Sequence, residues 1–188
     1  MNLEPASPQA SEFRAAVAAS MNRDDVRRAV REIYAALQDE LDQRKPLCST
    51  SGRCCRFEEY GHRLFVTTLE LAAFLHDLPG LQSGRSDAPC PFQVDGLCSV
   101  HPIRPFGCRI FFCDPSSEAW QKAHYEKFHA KLKRWHEKLE VPYFYVEWRQ
   151  ALAILADHLH TPANLEQKPS FANETSPAFR LSLPQLPF

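Results

Sequence analysis

The residues of this chain with the clearest chemical capacity are its seven cysteines, which form two groups along the sequence. Cysteine thiolates are soft ligands, and sets of four close tetrahedral zinc sites or hold iron–sulfur clusters. If the fold joins both groups, the chain has enough ligands for one metal centre with spare thiols, or for two sites. The candidate ligands are Cys48, Cys54 and Cys55 in the first group and Cys90, Cys98, His101, Cys108 and Cys113 in the second.

The spacing of the cysteines leaves other roles open. No two cysteines are separated by two residues, so neither a standard zinc finger nor a ferredoxin pattern is present. In a reducing cytosol, closely spaced cysteines favour metal or redox chemistry over disulfides, and the odd total also weighs against disulfides. Any single cysteine can also be an inert, buried apolar residue. We expect metal or cluster binding, with a redox-only role and an inert core as alternatives.

Composition and charge predict one soluble, cytoplasmic domain. The net charge is −1, so no overall field favours nucleic acid or an anionic membrane as a partner. The N-terminal residues lack the apolar run of a signal peptide, and no stretch has the length of a membrane span. The basic stretch at 122–138 is interrupted by glutamates and is predicted to be a solvated helix surface. We expect no nucleic-acid or membrane partner, and the sequence names no protein partner.

Two runs of residues carry a resemblance to a known family. The first is CSTSGRCC, residues 48–55, and the second joins Cys90 and Cys98 to HPIRPFGCR, residues 101–109. In order and type they resemble the cysteine-cluster proteins of the YkgJ type, described as a zinc- or iron-chelating domain. That family has C-x2-C-G-x-C-C followed at a distance by C and C-x2-[YH]-P-x-R-P-x2-C-R. The resemblance covers roughly residues 48–113 and implies that these cysteines bind zinc or iron.

One position departs from the family pattern. Ser51 stands where the family has its second cysteine, and our hypothesis is that Cys113, just beyond the second run, takes that role. The family also allows tyrosine at the position of His101, so ligation by this histidine stays open. The cluster is also similar to the cysteine-rich part of flagellin lysine N-methylases. The chain has no glycine-rich nucleotide-binding turn, however, and methyl transfer is not predicted.

Two arginines, Arg104 and Arg109, flank the proline-rich turn of the second group. Their guanidinium groups would offset the negative charge of several thiolates. A salt bridge to an acidic neighbour is an equally good expectation from the sequence. The acidic candidates are Glu58, Glu59 and Asp114.

Helical periodicity predicts the frame around these residues. Apolar residues at spacings of three and four predict a helix from Asn22 that ends before Pro46. A second long helix is predicted from Ser116 or Ser117 to about Glu140, packing against the first. The other predicted elements are a short helix from Ser7-Pro8, a strand at 63–67, a helix at 69–76 capped by Thr67 or Thr68, a strand near 143–146 and a last helix from about Trp148.

Local signals also predict how the second group is shaped. Asp95-Gly96 is a hairpin-turn signal that would bring Cys90 and Cys98 near each other. The prolines that follow favour a short irregular helix or turn that aims Cys108 rigidly. A mobile surface loop is predicted at 78–89.

We therefore predict a mainly α-helical domain around an irregular, cysteine-rich metal-binding centre with a short β-hairpin. Residues 1–20 would form an N-terminal arm, 21–160 the single domain, and 161–188 an extended or disordered tail. The predicted function is binding of zinc or an iron–sulfur cluster, with a redox role open. A structural zinc module and a metal chaperone or store are the alternatives, and enzymatic activity stays undecided.

Overall fold

The fold is mainly helical, as the sequence predicts. The computed structural model describes residues 3–47, 52–59, 61–78 and 90–159. Its α-helices are α1 (Pro8–Met21), α2 (Asp24–Arg44), α3 (Thr68–Asp77), α4 (Phe106–Ile110), α5 (Glu118–Lys138) and α6 (Trp148–Leu159). Single 3₁₀ turns lie at Arg53–Cys55, His101–Ile103 and Pro115–Ser117, and the strands are β1 (Phe65–Thr67), β2 (Gln93–Val94), β3 (Leu97–Cys98) and β4 (Tyr145–Glu147).

Local chemistry explains where the helices begin and end. Helix α1 starts at Pro8 because Ser7 Oγ accepts a hydrogen bond from the amide of Ala10 at 3.1 Å. Helix α2 ends where Lys45 adopts a left-handed conformation, with φ 49°, directly before Pro46. The predicted boundaries of both helices are therefore close to the observed ones.

Helix α3 begins with a capping box. Thr67 Oγ1 accepts from the amide of Glu70 at 3.4 Å, and Glu70 Oε2 accepts from the amide of Thr67 at 2.9 Å. The predicted cap is correct. What the sequence does not predict is that Glu70 is only 2% exposed and so belongs to the protein interior.

Two short antiparallel ribbons complete the frame. Strands β2 and β3 form the predicted hairpin, in which Asp95 and Gly96 both have positive φ, at 50° and 78°. This is the backbone that a two-residue type I′ turn requires. Strands β1 and β4 also pair, with Val66 opposite Val146. The two strands were predicted individually, but their pairing was not.

The long helices pack as predicted. Phe128 and Leu132 of α5 are fully buried against Leu37 and neighbouring apolar residues of α2. Helix α1 packs on α3 and buries Phe13 and Val17 in the same core as the cysteine region. Residues of the predicted N-terminal arm are thus part of the folded unit.

Some predictions fall on residues that are not described. The tail at 161–188 and most of the loop at 78–89 lie outside the described residues, as do Cys48 and Ser51. Within the described ranges, none of the helices combines the length and the apolar character needed to cross a membrane.

Candidate metal centre

Both cysteine groups converge on one cavity. Cys54 and Cys55 lie on the 3₁₀ turn at Arg53–Cys55, and Cys98 lies on β3 of the hairpin. Cys90 precedes that hairpin, and Cys108 is in α4. The cavity encloses about 910 Å³, including the part open to solvent. Its lining includes seven of the eight predicted ligands: Cys54, Cys55, Cys90, Cys98, His101, Cys108 and Cys113.

A close backbone contact joins the two groups at Gly52. The side-chain Nε2 of Gln93 donates to Gly52 O at 3.0 Å and to Gly96 O at 3.3 Å. It therefore bridges the first loop, which leads from Gly52 into the turn with Cys54 and Cys55, and the hairpin turn. Gly52 has φ +67°, and a Cβ at this position would overlap Gly96 O. Only glycine fits such an approach without strain. This contact fixes the distance between Cys54–Cys55 and the hairpin.

Four of the thiols influence one another's protonation. The pKa of Cys55 is raised mainly by its interactions with Cys54, Cys90 and Cys98. Hydrogen bonding to Cys55 is the main cause that lowers the pKa of Cys54 to about 6 and that of Cys98 to about 7. It also lowers the pKa of Cys90, whereas the pKa of Cys55 itself is raised by the same bonds. Cys55 therefore holds its proton more strongly than Cys54, Cys90 and Cys98 do.

The remaining candidate ligands have different surroundings. Burial raises the pKa of Cys108 well above its usual value, and the charges of neighbouring cysteines add to this. Cys113 is exposed at the edge of the cavity. His101 is also exposed, and its pKa is lowered by partial burial and by the nearby arginines. All six described cysteines are free thiols.

Trp148 closes the inner wall of the cavity beside Cys90. Its indole N–H is buried and has no hydrogen-bond partner among the described residues. Trp148 also contributes, after Cys55, to the lowered pKa of Cys90, so the indole favours a charged sulfur there.

The two arginines differ in what they contact. Arg109 donates to Arg104 O at 2.8 Å and to Pro102 O at 2.6 Å, and its guanidinium lies 4.2 Å from the ring centroid of Tyr34. Arg104 lines the cavity, and its charge contributes, after Cys55, to the lowered pKa values of Cys54 and Cys98. These contacts favour the charge-offsetting role for Arg104.

The predicted acidic partners have other contacts. Glu58 pairs with Arg149 at 2.9 Å, and Glu59 pairs with Arg56 at 3.3 Å. Asp114 accepts hydrogen bonds from Ser116 and Ser117. Among the ion pairs of the described residues, none links these acids to Arg104 or Arg109.

Glu70 positions the second cysteine group from the interior. Its Oε1 accepts from the amide of Phe106 at 2.9 Å, at the first residue of the helix that carries Cys108. Its side chain also interacts with Tyr34, which lowers the pKa of Glu70 and whose ring lies under the guanidinium of Arg109. The capping motif T-x-x-E revealed the helix start, but no sequence signal showed that the second oxygen reaches across 36 residues.

The candidate donors line one cavity. Among the described residues, no group of three or more His, Cys, Asp or Glu side chains is arranged so that it could hold a metal ion. Comparison of the chain with family models, curated proteins and solved structures finds no match. The functional argument consequently rests on the residues and their contacts.

Proposed function

We propose that this protein binds a zinc ion or an iron–sulfur cluster through its converging cysteines. The central ligands are Cys54, Cys55, Cys90 and Cys98, and Cys108 is the next candidate because its helix forms the adjoining wall. Cys48, Cys113 and His101 are further candidates. The resemblance of residues 48–113 to the zinc- or iron-chelating cysteine-cluster family points to the same chemistry.

The observation that carries this proposal is the convergence of Cys54, Cys55, Cys90, Cys98 and Cys108, which come from both cysteine groups, on one cavity. The pKa of Cys55 is raised while those of Cys54, Cys90 and Cys98 are lowered, so these sulfurs share their protons unequally. Bringing such sulfurs together costs electrostatic repulsion unless a cation balances them. A metal that displaces the shared proton removes this repulsion and links two loops that are distant in sequence.

The chemistry of the donors fits both proposed groups. Four thiolates satisfy tetrahedral zinc, and they equally satisfy the irons of a cluster. Because the pKa is about 6 for Cys54 and about 7 for Cys98, Cys54 is mostly thiolate and Cys98 about half thiolate at pH 7. Either group would replace part of the core between the hairpin and the first loop.

A second candidate function is a metal carrier or store. The observation that favours it is the opening of the cavity to solvent, with Cys113 exposed at its edge. An incoming chelator or partner thiol can reach such a site, whereas a structural zinc site is closed by its protein ligands. Slow release to an excess of chelator would favour the structural role, and release within seconds would favour the carrier.

The test is anaerobic purification of the full chain followed by visible absorption and analysis of zinc, iron and acid-labile sulfide. Broad visible absorption with iron and sulfide identifies a cluster, and a colourless protein with stoichiometric zinc identifies a zinc site. A chain that contains neither, and that binds neither on reconstitution under reducing conditions, would refute the proposal.

A matched pair of variants on the hairpin ties the result to the site. Cys98→Ser removes a central ligand and should lower metal per chain, while Val94→Ser changes the exposed side of the same hairpin and should not. Cys113→Ser tests the hypothesis that this thiol replaces the cysteine missing at Ser51. Unchanged metal content in Cys113→Ser would contradict that hypothesis alone.

A further inference from the structure

The backbone carbonyl of Cys54 is held by a histidine side chain. The 3₁₀ turn makes its own hydrogen bonds at the carbonyls of Gly52 and Arg53, which accept backbone amides at 3.1 and 3.0 Å. The next carbonyl, Cys54 O, is 3.3 Å from His62 Nε2. A carbonyl oxygen can only accept, so Nε2 carries the hydrogen and donates it. His62 is not among the described residues that line the cavity, so it contacts a proposed ligand from outside the ligand set.

The imidazole ring of His62 packs against two aromatic residues of the cavity wall. It stacks on Phe111 with 4.5 Å between ring centroids and 19° between the planes, and it meets Phe57 edge to face at 5.4 Å. Phe57 lies just beyond the first cysteine group, whereas Phe111 directly follows α4, the helix that carries Cys108. One side chain therefore joins the wall segments of both cysteine groups, in addition to the contact at Gly52.

Packing alone does not explain a histidine at this position. Its Nδ1 is buried and has no hydrogen-bond partner among the described residues. A buried polar atom without a partner destabilises a fold, and a phenylalanine ring would avoid this cost while keeping both ring contacts. The hydrogen bond donated to Cys54 O is the contact that phenylalanine could not supply.

We infer that His62 is a positioning residue of the metal centre, which holds the Cys54 turn against the segment that follows Cys108. Metal ligands are oriented by hydrogen bonds from residues around them, and loss of such a partner typically weakens metal binding by about tenfold or more. Here the partner acts through the backbone of Cys54, whose thiol is one of the central ligands. This inference rests on the proposed metal function, because it names a residue that prepares the same site.

The experiment compares His62→Phe and His62→Gln in the full chain. Phenylalanine keeps the ring contacts but has no donor, whereas glutamine has an amide donor but no ring. Zinc affinity, measured anaerobically in competition with a chromophoric chelator, should fall about tenfold or more in His62→Phe and less in His62→Gln. Denaturant unfolding of the metal-free chain should give the opposite order, with His62→Gln the less stable variant. For a chain that purifies with an iron–sulfur cluster, the half-life of its visible absorption under excess chelator replaces the zinc affinity.

His76→Phe is the control, because His76 is exposed on α3 and is not among the described residues that line the cavity. It should leave metal binding unchanged. Metal binding that falls in the same order as stability would show a structural role alone and would overturn the inference, as would an unchanged affinity in His62→Phe. Either result refutes only this inference, whereas a wild-type chain that takes up neither zinc nor a cluster refutes the metal function and this inference with it.

Discussion

Replacing Gly52 by alanine should separate the two halves of the cysteine centre. The new Cβ would overlap Gly96 O and would lie 2.7 Å from Gln93 Nε2, the atom that bridges the two loops. The hairpin therefore has to move away, taking Cys90 and Cys98 with it. We expect fewer metal-bound chains and a less stable fold.

Gly61 provides the matched control. It has nearly the same backbone, with φ +65°, but nothing lies within 4 Å of a Cβ placed there. Alanine at either position meets the backbone strain of positive φ, about 1 kcal/mol. Only at Gly52 is overpacking added, which costs about 1–3 kcal/mol. The difference between the two variants thus isolates the contact between the loops.

The assay has two parts, metal per chain after anaerobic purification and denaturant unfolding of the metal-free protein followed by tryptophan fluorescence. Gly52→Ala should unfold about 1–3 kcal/mol more easily than Gly61→Ala and should bind less metal. If the two variants have the same stability and the same metal content, the loops are not held by this contact, and the argument for a shared site at Gly52 fails.

Three further predictions concern buried and ionised groups. Glu70→Ala should lower the free energy of unfolding by about 3–5 kcal/mol, because it removes a cap and leaves the amide of Phe106 unpaired. The control is Glu126→Ala at an exposed position, which should change the free energy of unfolding by less than about 0.5 kcal/mol. Burial is the main cause that raises the pKa of Glu70, so the folded state holds this proton more strongly than the unfolded chain does. The free energy of unfolding should therefore fall as the pH rises above the ordinary value of 4.5. Glu70→Gln should remove this pH dependence. In the metal-free protein, alkylation of Cys54 by iodoacetamide should already be fast at pH 7 and fall to half near its pKa of about 6. Cys108 should react much more slowly at pH 7, because its pKa is raised well above the usual value. Peptide mass spectrometry measures both, and a Cys54 rate that rises only above about pH 8 would contradict the assignment.

Features set by neighbouring residues could be predicted from the sequence. The hairpin follows from Asp95-Gly96, since few other pairs accept two positive φ angles. The start of α3 follows from Thr67 and Glu70, and the end of α2 from Pro46. Each depends on steric limits or hydrogen bonds within a few residues, so the sequence determines it without reference to the rest of the fold.

Long-range contacts could not be predicted in this way. The pairing of β1 with β4 joins residues about 80 positions apart, and the sequence held no signal for it. The arrangement of Cys55 among three other thiols depends on how Gly52 meets the hairpin. By itself, the sequence determined that the chain carries two groups of soft ligands on short, rigid turns. Only the tertiary structure decided that they share one cavity, because packing between distant segments fixes which side chains meet.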